Sequence, residues 1–178
     1  FTVGNENAVN NDHPYVAWNW KAGNATLGTG AFTQGTIAST CSRNVDAGFS
    51  IVSYTGNQTA GATVGHGLSS APEIIFVKHL TSTGHWTVYN KDLHASAPED
   101  YYMYLSATNT AADYDMWNDT APTANVFSIN GAENGTASSA YIAYCFHSVD
   151  GYSKVGTYEG NNTANNGPFV YTGFRPRW

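Results

Sequence analysis

Asp113-Tyr114-Asp115, with Asp119 close behind, gathers three carboxylates within seven residues. Carboxylate oxygens are the hard donors that calcium takes, so Asp113, Asp115 and Asp119 form a candidate calcium site. The stretch lacks the Gly and terminal Glu of an EF-hand loop, and a solvated acidic loop is the competing reading. Around it stand Tyr102, Tyr104, Tyr114 and Trp117, flat rings that either stack on sugar faces or fill space between sheets. In this polar, acidic region they are a candidate ligand-binding surface, whereas Trp18, Trp20 and Trp86 fall on alternating strands and are expected in the core. Glycoside hydrolysis needs two carboxyl groups about 5 to 10 Å apart across a sugar. Glu73, Glu99, Asp100, Asp113, Asp115 and Asp119 contain such pairs in principle, as any acid-rich chain does.

No catalytic residue is assigned. The chain has no GxSxG elbow, HExxH pair, P-loop or strand-bounded GxGxxG. His66, His79, His85 and His94 lie within thirty residues but lack ligand-pair spacing and accompanying cysteines, so they read as ordinary surface or half-buried histidines. No cofactor is expected, calcium being the one candidate ion. Cys41 and Cys145 would close a loop of roughly a hundred residues if joined, worth about 4 to 5 kcal/mol in the chain-entropy model, or stay free. Five Asn-x-Ser/Thr sites, at Asn24, Asn57, Asn118, Asn134 and Asn161, are near what chance gives in so Asn-rich a chain.

The elements that must position these groups follow from composition and pattern. The 178 residues carry 11% charged and 14% aromatic side chains and a net charge of −6. A basic face for nucleic acid is excluded, as is a long helical or coiled-coil protein. The aromatic content argues against disorder. The longest compact apolar stretch is Ile74-Ile75-Phe76-Val77, too short to span a bilayer. The first residue is Phe1 rather than Met, so the N-terminus is expected to be processed or cut from a longer chain.

An internal repeat organises the chain. Phe1-Thr2-Val3-Gly4 and Tyr15-Val16-Ala17-Trp18-Asn19-Trp20 return at one offset of 126 residues as Phe127-Ser128-Ile129-Asn130 and Tyr141-Ile142-Ala143-Tyr144-Cys145-Phe146. Gly48-Phe49-Ser50-Ile51-Val52-Ser53-Tyr54-Thr55-Gly56-Asn57 returns at an offset of 103 as Gly151 to Asn161, with one extra residue around Gly156 that reads as a bulge. The change of offset places an insertion of about 23 residues within residues 21–47 of the first copy. Two related units result: residues 1–126 with the insertion, and a partial second unit, residues 127–178, packed with the first as one domain. The chain starts late in one unit and stops early in another, so a longer polypeptide or a neighbouring subunit is expected to complete it.

Period-two alternation marks the strands. Val16, Trp18 and Trp20 share one face, and Ile142, Tyr144 and Phe146 the equivalent face, which is expected to be the packed side. Phe49–Tyr54, Glu73–Lys78, His85–Asn90, Tyr101–Leu105, Val126–Ile129 and Phe169–Gly173 are further candidate strands. At most a short turn of helix lies near Leu93–Asp100. The fold class is all-β, an antiparallel β-sandwich built from two related sheet units.

The segments Tyr15–Gly23, Gly48–Asn57, Gly65-His66-Gly67-Leu68, Tyr141–Phe146 and Gly167–Pro176 resemble a repeat domain of virion-associated proteins of marine bacteriophages, over nearly the whole chain. The resemblance implies a tandem unit without assigned biochemical activity, often joined to concanavalin-A-like lectin domains in tail-fibre or appendage proteins. It supplies no binding residues. It implies a non-enzymatic virion structural protein, in a tail fibre, spike or capsid appendage, extracellular, with its own copies, other virion proteins and host surface glycans as partners; a trimer is the expected oligomer. Two other readings stand beside it: a secreted carbohydrate-binding or polysaccharide-degrading domain using Tyr102, Trp117, Asp113 and Asp115, and a glycosylated extracellular filament subunit.

Overall fold

The computed structural model describes residues 12–23, 26–27 and 34–176. The repeat block Phe1–Gly4 and the sequon at Asn24 lie outside the described residues. The fold is all-β. Among the described residues ten strands form two antiparallel sheets, and the only helical pieces are 3₁₀ turns at Pro98–Asp100 and Gly131–Glu133.

The large sheet has the order β1(Thr26–Leu27), β2(Ser39–Asn44), β3(Phe49–Thr55), β10(Ala140–Phe146), β5(Ile74–His79), β6(Trp86–Asn90), β7(Tyr101–Tyr104), β8(Ala112–Asp113). The small sheet pairs β4(Ala62–Gly65) with β9(Val126–Ile129). β10 is the centre of the large sheet, with Ala143 opposite Val52 on one side and Val77 on the other. β10, from the late repeat segment, thus lies between two strands of the early one, β3 and β5.

Register decides which face is buried, because side chains alternate along a strand. Tyr141, Ala143 and Cys145 of β10 point into the core with Val52, Tyr54, Ile75 and Val77. The small sheet covers this face with Val64, Phe127 and Ile129, helped by Leu68, Met116 and Trp117. Tyr54 meets Phe127 edge-on at 6.4 Å between ring centroids, one of the contacts that bind the layers. Small residues on β10 and its neighbours allow the close approach that sheet packing requires.

Several expectations are corrected here. The packed side of β10 is Tyr141, Ala143, Cys145, and the larger Ile142, Tyr144 and Phe146 face outward. Residues 15–20 form no strand, and Phe169–Gly173 likewise lies outside any sheet. Trp18 and Trp20 are exposed, at 67% and 42%, rather than core, and Trp86 is half-buried on the outer face. Cys41 and Cys145 are free and buried. β3 separates their strands, so two inter-strand spacings of about 4.8 Å keep them beyond the roughly 7 Å limit of a disulfide.

Candidate functional site

β7 and β8 bring three of the four expected aromatic residues together. Tyr102 lies 5.0 Å from Tyr104 and 6.3 Å from Tyr114, both edge-on. The short β7–β8 ladder, with Tyr101 opposite Asp113 and Tyr102 opposite Ala112, holds this geometry. Tyr114 is 56% exposed and gives the patch a ring facing solvent. Tyr104 is stacked on its other side by His85 at 4.3 Å, and its hydroxyl is pushed up to about 12 by desolvation and by the hydrogen bond and charge of Tyr102, with smaller repulsion from Glu133 and Tyr114. Tyr104 is thereby kept a neutral phenol, and the three rings together are suited to stacking.

Trp117 does not join them. It is 2% exposed, meets Tyr89 edge-on at 5.9 Å, and donates its indole N–H to the Tyr101 carbonyl at 3.1 Å. The groove of Tyr102, Trp117, Asp113 and Asp115 expected for a sugar-cleaving domain is therefore not formed.

The acids crowd one another on the surface. Asp115 accepts a hydrogen bond from the Asn130 amide at 2.6 Å, and Asp113 is exposed. Asp119 is held above the usual carboxylate range, by desolvation and by Asp115, Asp100, Asp113 and Glu99. Among the described residues, no three His, Cys, Asp or Glu side chains are arranged to hold a metal ion, Asp113, Asp115 and Asp119 included.

The histidines are dispersed, each on its own partner. His79 stacks on Tyr141 at 4.5 Å and His94 on Tyr101 at 4.6 Å. His66 is fully buried, its Nδ1 accepting the Leu68 N–H at 3.1 Å while Nε2 stands 3.1 Å from the Thr123 carbonyl. Those partners select the neutral Nε2–H tautomer, and burial pulls the group down to about 4 against the opposing pull of Thr123.

A second surface escaped the sequence reading. The outer face of the large sheet carries Ile51, Tyr144, Phe76, Val88 and Met103 in one cross-strand row, with Phe49 stacked on Phe146 at 4.6 Å beside it. Trp86 lies 5.9 Å from Tyr144, and Trp20 covers Phe146 at 5.7 Å and Phe49 at 6.2 Å. Between these rings and Trp18 runs a groove of about 600 Å³, within the range of small-molecule sites. Among the described residues its lining holds no carboxylate, lysine, arginine or histidine; its side-chain polar groups there are the Asn19 amide, the Tyr144 hydroxyl and the indole N–H groups. Such a surface is suited to stacking and to exclusion of water. The signal was present in Tyr141–Phe146, a strand apolar on both faces, which is how a sheet covered on both sides reads.

No curated protein and no solved structure matches this chain. A family model matches residues 1–178 from end to end, and the chain belongs to that family, described as a domain of unknown function, DUF7483.

Proposed function

We propose that this chain is a non-enzymatic structural module of a bacteriophage virion, of the tail-fibre, spike or appendage kind, that assembles with copies of itself and presents its tyrosine patch to host surface glycans. The family description carries no activity, and the phage context rests on the sequence resemblance given above. One observation carries the self-assembly. Of the twelve large hydrophobic residues exposed among the described ones, nine lie in the two repeat segments outside the sheets: Tyr15, Val16, Trp18 and Trp20 before them, and Tyr152, Tyr158, Phe169, Val170 and Tyr171 after. Phe169 is 90% exposed. Apolar surface concentrated in this way marks an interaction site rather than the scattered exposure of a monomer.

Light scattering across a concentration series tests this. The expected result is a particle at least twice the monomer mass that grows with concentration; a monomer throughout overturns the reading. For the glycan contact, titration with a host surface polysaccharide should saturate, and Tyr114→Ala should weaken it by roughly tenfold, the loss of one stacked ring. Equal binding by the variant removes the patch from the proposal.

A further inference from the structure

The two copies of the repeat meet across one seam. β10 is the second copy of Tyr15–Trp20, and β3 is the first copy of the segment that returns after Gly151. In their ladder Tyr141 faces Tyr54, Ala143 faces Val52 and Phe146 faces Phe49. Each strand thus has a counterpart elsewhere in the chain, and the same pairing transferred to the counterparts sets Tyr15 opposite Tyr158, Ala17 opposite Val155 and Trp20 opposite Tyr152, with Gly156 as a one-residue bulge. Two aromatic pairs remain aromatic and the small apolar pair remains small and apolar.

The backbone keeps the correspondence. Gly48, which leads into β3, has φ of 63°, and its counterpart Gly151 has 72°. Further on, at the offset of 104 that follows the extra Gly156, Gln58 and Gly61 have φ of 61° and 70°, and their counterparts Asn162 and Asn165 have 50° and 63°. The late segment therefore already carries the turns of the β3–β4 region. Within this chain residues 15–20 and 152–174 form no strand, Ser153 making only an isolated antiparallel bridge to Val149, and Val16 and Tyr158 are 83% and 70% exposed.

We infer that residues 152–158 of one copy pair antiparallel with residues 15–20 of a second copy, in the register of the β3–β10 ladder. The inference rests on the self-assembly proposed above and specifies its seam. Main-chain hydrogen bonds supply the attraction, as in strand addition generally, and the aromatic pairs fix the register. Because the two surfaces differ, the contact is head-to-tail and propagates into rings or filaments.

Single-cysteine variants test it. Ala17→Cys mixed with Val155→Cys under mild oxidation should give a disulfide heterodimer. The yield should be roughly tenfold above Ala17→Cys mixed with Thr157→Cys, whose side chain falls on the opposite face in this register. Native Cys41 and Cys145 are buried and stay silent. All three positions lie outside the sheets, so the core is kept. The double variant Ala17→Cys/Val155→Cys should ladder into multimers; a monomer with an internal disulfide overturns the second-copy pairing, and equal yields from the two mixtures overturn the register. Assembly of the unmodified chain without the in-register crosslink removes this seam alone, whereas absence of any assembly removes the parent proposal too.

Discussion

The ring of Tyr54 on β3 stacks on that of Tyr141 on β10, with centroids 5.2 Å apart and planes 6° from parallel. Tyr141 is also stacked by His79 at 4.5 Å, and the Tyr54 hydroxyl donates to the Glu133 carbonyl at 3.0 Å. The pair thus ties the central strands to each other and to the loop after β9. Tyr141→Ala should cost about 3 to 5 kcal/mol, the range for deleting a buried aromatic ring. Tyr54→Phe, which keeps the ring and loses one hydrogen bond, should cost about 1 kcal/mol. Urea unfolding midpoints check both, and similar losses for the two variants would show that the hydroxyl rather than the stack matters.

Glu133 makes stability fall as pH rises. Burial lifts its carboxyl from 4.5 to about 7, against a smaller opposing pull from the Thr87 hydroxyl, and its Oε2 has no hydrogen-bond partner. A group raised in the folded state contributes its full stability below pH 4.5 and loses it as pH climbs through 7. The loss amounts to about 3 kcal/mol, and Glu133→Gln should abolish it. His66 acts in the opposite sense: lowered from 6.5 to about 4, it costs stability as pH falls through that window. The wild-type chain should therefore be flat between roughly pH 4.5 and 6.5, where the two slopes cancel, and Glu133→Gln should rise with pH there. Thermal melts at half-unit pH steps measure this; parallel curves for the two proteins would refute the assignment.

Gly48 and Gly151 share a left-handed backbone but not its surroundings. A Cβ on Gly48 would sit 2.6 Å from the His147 carbonyl oxygen, whereas on Gly151 it meets nothing within 4 Å. Gly151→Ala should cost about 1 kcal/mol from backbone strain alone, and Gly48→Ala at least twice that because main chain must shift. Comparable costs would mean that β10 moves freely away from β3.

The outer groove should take up apolar probes. Fluorescence of an anilinonaphthalene dye should rise on binding, and Trp86→Ala should weaken that binding by roughly tenfold, the share of one large ring, while leaving the unfolding midpoint within about 1 kcal/mol. Trp117→Ala should do the reverse, losing about 3 to 5 kcal/mol because it opens the core. Unchanged dye binding by Trp86→Ala would place the dye outside the groove.

Much of the fold was legible because strands announce themselves locally. Phe49–Tyr54, Glu73–Lys78 and Val126–Ile129 match the observed strands to within a residue or two, since β-rich alternation between Gly and Asn turns depends on near neighbours. The tyrosine patch was half legible, because Tyr102, Tyr104 and Tyr114 lie on or next to the adjoining strands β7 and β8. Trp117 was not, because only the covering residues of the second layer, together with Tyr89, decide that its ring is enclosed. Similar alternation in Tyr15–Trp20 and Tyr141–Phe146 predicts a strand in both, yet among the described residues only the second is one, held on its two edges by β3 and β5.

By itself the sequence determined the all-β class, the antiparallel pattern and the turn glycines, all of which are written in spacings of two residues or in single left-handed positions. Tertiary structure alone decided which face of β10 is core, that Cys41 and Cys145 lie two strands apart, and that the outer face holds an aromatic groove. The physical reason is that a strand apolar on both faces carries no label for inside; the label comes from the second sheet, whose Val64, Phe127 and Ile129 cover one face and leave the other to the tryptophans.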